Sequence, residues 1–274
     1  MFKFRSIRIR TLVYLLPLTI IALTLLSSLS YYESKKLLNK EISDKMTFKL
    51  DDTISKIRNK LSNHAKVPIS LAKTVEASGT TITKNQYKEI VENLAQINED
   101  TLGVGVWFEP YSYSKDIKFM GPYAYKDNGK VVYTEDYMTE DYNYPSQDWY
   151  TIGKNTTDQA VWTTPYYDEH TKITMVTTNV PFYDQSKKFI GAISADIDLT
   201  HLQEIVQNLK IGQTGRAFLI SEDGTYIAGV EKDKLMKAKI TEDKNKELAS
   251  VGKTMLSSKS GTESYTENGS KTLI

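Results

Sequence analysis

The chain has 274 residues, 40% of them hydrophobic and 25% charged, and a formal net charge of +1. That apolar content can bury a core and excludes a disordered chain, while the balanced charge and the lack of a Lys/Arg-rich block leave nucleic acid no electrostatic footprint. With no cysteine, disulfides, thiolate nucleophiles and Cys-ligated zinc are excluded, and stability has to come from packing.

No charged residue occurs from Thr11 to Tyr32. An apolar helix of about 20 residues spans a bilayer, so residues 11–31 are predicted to be a transmembrane helix. A cleaved signal peptide is the alternative, with small residues at Ser28-Leu29-Ser30. The apolar run exceeds the roughly 7–15 residues of a signal core, which favours an uncleaved anchor. Lys3, Arg5, Arg8 and Arg10 precede it without an acidic residue. This places residues 1–10 in the cytoplasm and everything after about residue 32 outside it.

Residues 32–98 are predicted to hold a long stalk helix and a second helix. Leu38, Ile42, Met46, Leu50, Ile54, Ile57 and Leu61 recur at spacings of three and four, the stripe of an amphipathic helix. The stripe is narrow enough to form a seam between two copies, which predicts a homodimer through the stalk; packing on its own domain explains it equally. Pro68 should bend this helix and Gly79 end it. The second helix is expected from about Lys84 to Asn98.

The texture then changes. Leu102 to Phe108, Lys130 to Thr134, Met175 to Tyr183 and Phe189 to Ile197 are short runs rich in β-branched and aromatic residues, expected as strands of an antiparallel sheet. Asp127-Asn128-Gly129 and Asp184-Gln185-Ser186 supply turns, the latter closing a hairpin. After a helix from Leu199 to Leu209, capped by Asp198 or Thr200, a second sheet unit begins: Ala217 to Ser221, a turn at Glu222-Asp223-Gly224, then Thr225 to Val230. A helical stretch from Glu242 to Ser258 precedes the end at Ile274, which leaves this second unit short of strands.

Between Tyr111 and Tyr150 tyrosines cluster unusually, ending in Trp149-Tyr150, with Asp168 and Asp196 downstream. Aromatic faces with carboxylates suit a small cation; most of these tyrosines are also ordinary sheet residues.

Four stretches carry a family resemblance: Gly105-Val106-Trp107-Phe108-Glu109-Pro110, Tyr144-Pro145-Ser146-Gln147-Asp148-Trp149-Tyr150, Gly191-Ala192-Ile193-Ser194-Ala195-Asp196-Ile197 and Gly215-Arg216-Ala217-Phe218-Leu219-Ile220. With them the chain resembles the double Cache sensor domains of bacterial methyl-accepting chemotaxis proteins, of clostridial type. The resemblance implies an α+β fold: an N-terminal transmembrane helix, a long stalk helix and two tandem PAS-like antiparallel-sheet modules, the second truncated. Residues 99–198 would be the membrane-distal module with the ligand site, and residues 199–274 a connecting helix and an incomplete membrane-proximal module. It also implies cytoplasmic signalling partners reached through a further C-terminal region. A chemotaxis rod, a histidine kinase and a nucleotide cyclase all remain open as the output.

The resemblance implies a pocket as well. In amino-acid-binding members a Tyr, an Arg, the Trp-Tyr pair and two Asp form it, and the matching positions here are Tyr142, Gln147, Trp149, Tyr150, Asp168 and Asp196. Gln147 stands where the family has the Arg that holds a ligand carboxylate. A charge-assisted bond contributes roughly 1.5–3 kcal/mol against about 1 for a neutral one, so the exchange weakens an amino acid relative to an amine. Lys126 and Lys154 are the alternative carriers of that charge.

Catalysis has little to stand on. Asp168-Glu169-His170, His64 and His201 lack metal-ligand spacing or a nucleophile with its base, His170 reads as a polar loop residue, and no Gly-x-Ser-x-Gly elbow or phosphate loop occurs. No cofactor or metal is called for. The reading is a sensor of a small molecule, an amine, quaternary ammonium or amino acid; an adhesion module and an extracellular hydrolase are the alternatives.

Overall fold

The computed structural model describes residues 7–274 except 80, 210, 212 and 213. Lys3 and Arg5, and the side chains of Arg10 and His201, lie outside the described residues. The chain divides into two compact units, Met1–Lys56 and Ile57–Ile274, with helical residues α1 running Ile7–Ser78.

In the first unit the apolar stretch has the length and composition to cross a membrane, and its side chains are unburied. The Thr11 and Thr24 hydroxyls donate to the carbonyls of Ile7 and Ile20 at 3.0 and 2.7 Å, so these polar groups are satisfied within the helix. Leu38, Ile42, Leu50 and Ile54 are exposed.

In the second unit α1 passes through Pro68 without a break. Pro68 lacks the amide that would bond the His64 carbonyl. Gly79 ends the helix at φ +57°, a conformation that costs glycine nothing. Helix α2 (Lys84–Leu94) starts with a capping box between Thr83 and Gln86 and stops four residues short of the expected Asn98.

A seven-stranded antiparallel sheet follows: β1 (Thr101–Phe108), β2 (Tyr123–Asp127), β3 (Lys130–Thr134), β4 (Val161–Trp162), β5 (Tyr166–Asp168), β6 (Ile173–Tyr183) and β7 (Phe189–Asp198). Its order is β3-β2-β1-β7-β6-β4, with β5 pairing farther along β6. The expected strands are present; β2, β4 and β5 were not foreseen. Asn128 and Gly129, at φ +48° and +77°, make the β2–β3 turn, and Asp184 to Lys188 close the β6–β7 hairpin.

The period-two alternation of these strands sorts core from site. Val104, Val106 and Phe108 of β1, Ala124 of β2, Val180 and Phe182 of β6, and Ile193 and Ala195 of β7 pack with Leu71, Ala72 and Val75 of α1 and with Tyr87 and Val91 of α2. Each large apolar side chain so buried contributes about 1.5–3 kcal/mol. The intervening residues face the other way, where a second cluster of Trp107, Tyr123, Tyr137, Tyr144, Tyr150 and Ala192 gathers.

Helix α3 (Asp148–Asn155) covers this second face, in contact with β6 and β7. Beyond β7, Asp198 caps α4 (Leu199–Gln207) through the Thr200 amide at 2.8 Å. Two small sheets complete the chain: β8 (Leu219–Ile220) with β9 (Tyr226–Ala228), and β10 (Ser264–Glu267) with β11 (Ser270–Leu273), the latter pair after α5 (Lys246–Ser257). Among the described residues the second unit's later part thus holds two separate strand pairs.

Candidate ligand-binding site

The face of the sheet turned from α1 holds a small cavity of about 20 Å³, lined by Trp107, Tyr123, Tyr137, Tyr142, Trp149, Tyr166, Asp168, Met175, Ser194 and Asp196. Two glycines make the wall possible. Gly105 shares this face with Trp107, and a Cβ there would enter the indole; Gly103 stands in the same relation to the Tyr123 ring. Trp107 therefore lies back over Gly105, and its Nε1 donates to Ser194 Oγ at 2.8 Å on the neighbouring strand. Tyr123, on β2, reaches across β1 and donates to Asp196 Oδ2 at 2.8 Å on β7.

Asp196 is 3% exposed. Thr177 donates to its other oxygen at 2.7 Å, and Thr177 in turn shares a 2.7 Å hydrogen bond with the Tyr166 hydroxyl. Burial pushes the Asp196 carboxyl up to about 7; the charge of Asp168 adds to this, and the bonds from Thr177 and Tyr123 oppose it. Burial also raises the Tyr123, Tyr137, Tyr142 and Tyr166 hydroxyls, so all four are neutral and able to donate.

Asp168 sits at the end of β5. Its Oδ1 accepts from the Tyr137 hydroxyl at 3.1 Å, from the His170 and Thr171 amides at 3.1 and 2.7 Å, and from the Thr171 hydroxyl at 2.9 Å. Oδ2 takes no protein hydrogen bond among the described residues. The carboxylate thus organises the turn into β6 while lining the cavity.

Of the six residues the resemblance implied, four meet here: Tyr142, Trp149, Asp168 and Asp196. Trp149 Nε1 donates to the Tyr142 hydroxyl at 3.0 Å, and the Trp149 ring lies 4.9 Å from that of Trp107. Tyr150 and Gln147 are placed elsewhere. Consecutive residues on a helix diverge by about 100°, so Tyr150 turns into the cluster with Tyr144 and Phe189, and its hydroxyl donates to Glu109 at 2.8 Å. Gln147 donates to the Tyr142 carbonyl at 2.8 Å and is not among the residues lining the cavity. Neither lysine supplies a charge to the cavity: Lys126 donates to the Asn98 and Glu99 carbonyls at 2.6 and 3.2 Å, and Lys154 pairs with Glu109 at 2.7 Å.

The sequence reading missed Trp107, Tyr123, Tyr137, Tyr166, Met175 and Ser194. Alternation from Gly103 and Gly105 was the signal that would have put Trp107 on the site face. His170 also packs its ring against Tyr137 and Tyr142, with centroids 4.6 and 5.3 Å apart.

Residues 87–204 match the family model described as methyl-accepting chemotaxis protein-like, first PDC sensor domain. Methyl-accepting chemotaxis protein TlpB of Bacillus subtilis (strain 168) is 25% identical over 218 residues, covering 78% of this chain and 29% of TlpB. The chain therefore corresponds to less than a third of that relative's length. Among solved structures, the extracellular domain of the putative histidine kinase mmHK1S-Z2 has a TM-score of 0.67 at 20% identity, covering 80% of this chain and 85% of that one. The ligand-binding domain of Campylobacter jejuni chemoreceptor Tlp3 in complex with L-valine has a TM-score of 0.63 at 20% identity, covering 87% and 88%. These two structures share the fold with residues of this chain.

Proposed function

We propose, from the match of residues 87–204 to the methyl-accepting chemotaxis protein-like PDC sensor family model, that the chain is a Cache-like sensor and senses a small organic cation outside the cell. One observation carries this reading. Two carboxylates, Asp168 and Asp196, share an aromatic cavity whose lining contains no Lys, Arg or His. Such a cavity neutralises an ammonium group and packs its methylenes or methyls on Trp149, Tyr142 and Trp107, each ring face adding up to about 2 kcal/mol once water is excluded. The lining offers a ligand carboxylate no charged partner, which favours an amine or quaternary ammonium over an α-amino acid.

An amino acid is the second reading, favoured by the fold shared with Tlp3, solved with L-valine. At about 20 Å³ the cavity has the size of a water or two, so either ligand requires Trp149 and Tyr142 to move apart.

The remaining assignments belong to the same proposal. The apolar part of α1 anchors the chain in the cell membrane, residues after about 32 are extracytoplasmic, and the exposed stripe of Leu38, Ile42, Leu50 and Ile54 pairs with that of a second copy. Binding is relayed to a cytoplasmic output, of chemotaxis type or, as in the putative kinase neighbours, a histidine kinase. The test is thermal-shift screening of the full chain in nanodiscs with amines, quaternary ammoniums and amino acids. A ligand at 100 times its Kd stabilises by about 2.7 kcal/mol; a response confined to sugars or dicarboxylates overturns the reading.

A further inference from the structure

We propose that the cavity takes up its cationic ligand in exchange for a proton held by Asp196 beside Asp168, so that the receptor responds to ligand and pH jointly. The inference rests on the cation reading above and extends it to the regulation of that site.

Three observations carry it. First, two acids line one small cavity and no basic residue lines it with them, so nothing in the wall balances a second negative charge. Second, Asp196 is buried at the meeting of β1, β2, β6 and β7, where desolvation penalises its ionised form. Burial accordingly raises this carboxyl toward neutrality. Third, a route for the proton exists. Asp196, Thr177 and Tyr166 form a chain of hydrogen bonds at 2.7 and 2.7 Å, and Tyr166 is itself part of the cavity lining. A hydroxyl both donates and accepts. The chain therefore runs toward Asp196 when that group is a carboxylate and away from it when it is a carboxylic acid.

The groups facing Asp196 are few. Tyr123 comes from β2, Thr177 from β6, Tyr166 and Asp168 from β5, and Tyr137 and Tyr142 from the segment between β3 and α3. His170 packs on those last two rings. On the opposite face of the sheet stands His64, held to Thr101 at 3.1 Å. The step balances: the protonated Asp196 plus the ligand cation gives the ion-paired carboxylate, and one proton leaves to solvent.

Calorimetry of the full chain in nanodiscs tests this with two probes, tetramethylammonium, whose charge is fixed, and n-butylamine. Titrations at pH 8.5, 7.0 and 5.5 in two buffers of different ionisation enthalpy give both affinity and protons released. The expected result is an affinity that falls about tenfold per pH unit below about 7, with close to one proton released at pH 5.5 and few at 8.5. Asp196→Asn abolishes the release. His170→Asn retains it, which separates the acid pair from a histidine on the rim. Binding of either probe with pH-independent affinity and no proton release overturns the inference and leaves the cation reading standing. Failure of both probes to bind at any pH overturns both.

Discussion

The Tyr123 hydroxyl meets the Asp196 carboxylate at 2.8 Å although the two residues belong to strands separated by β1. The ring can cross only because the residue beneath it, Gly103, has no side chain. A single missing Cβ thus links the sheet's architecture to the charge of the site.

Gly103→Ala should displace Tyr123 and break this bond. Overpacking of this kind costs about 1–3 kcal/mol, and cation affinity should fall together with stability. Tyr123→Phe removes the bond alone and should lower affinity with a smaller loss of Tm. Thermal melts and calorimetry on both variants check the pairing; an unchanged affinity in Gly103→Ala would contradict it.

Asp196 gives stability a pH dependence of known sign. Its carboxyl is higher in the folded chain, about 7, than the 3.8 of an unperturbed Asp. Its contribution is therefore complete below pH 4 and is lost as pH rises through 7. The loss amounts to roughly 4 kcal/mol between those limits. The stability of the ligand-free chain minus that of Asp196→Asn should fall across that window as the pH rises, and a difference that rises with pH would refute it.

His64 runs the other way. It is buried, 5.8 Å from the Trp162 ring, and burial lowers its basicity. The folded chain keeps it neutral while the unfolded chain takes up a proton near pH 6.5, so its contribution is full above that pH and is lost as the pH falls. His64→Leu should flatten the acid side of the stability profile and leave the alkaline side unchanged. Chemical unfolding at pH 5.0 and 8.0 measures this.

Trp149 and Tyr150 are neighbours in sequence with opposite assignments. Trp149→Ala should weaken cation binding on the order of tenfold or more while the fold survives. Tyr150→Phe should cost about 1 kcal/mol of stability through the lost Glu109 bond and leave affinity unchanged. Equal effects of both on affinity would move Tyr150 into the site.

A reporter joined after residue 60 should be active outside the cytoplasm, as the basic residues before the apolar stretch require. Protection of that reporter from external protease in intact cells would reverse the topology.

Much of this was legible in the sequence. Long periodic runs such as Phe189 to Ile197 made strands of nearly the expected length, since alternation fixes both existence and facing. Strands of two and three residues, β4 and β5, carry too few positions for a period to register. The site was half visible for a related reason. Asp168, Asp196, Tyr142 and Trp149 could be placed by motif, whereas Tyr123 and Tyr166 reach the cavity only through pairings between distant strands. Tyr150 shows the converse: a motif fixes the helix, and the helix's 100° step then decides which side chain faces inward, while Gln147 sits in extended backbone just before that helix and turns to the Tyr142 carbonyl.

Ala195 and Asp196 share one peptide plane. The methyl of the first is packed against the α1 core and the carboxylate of the second faces the cavity. One strand is therefore at once a wall of the cavity and a wall of the core, and no second layer of backbone separates the two.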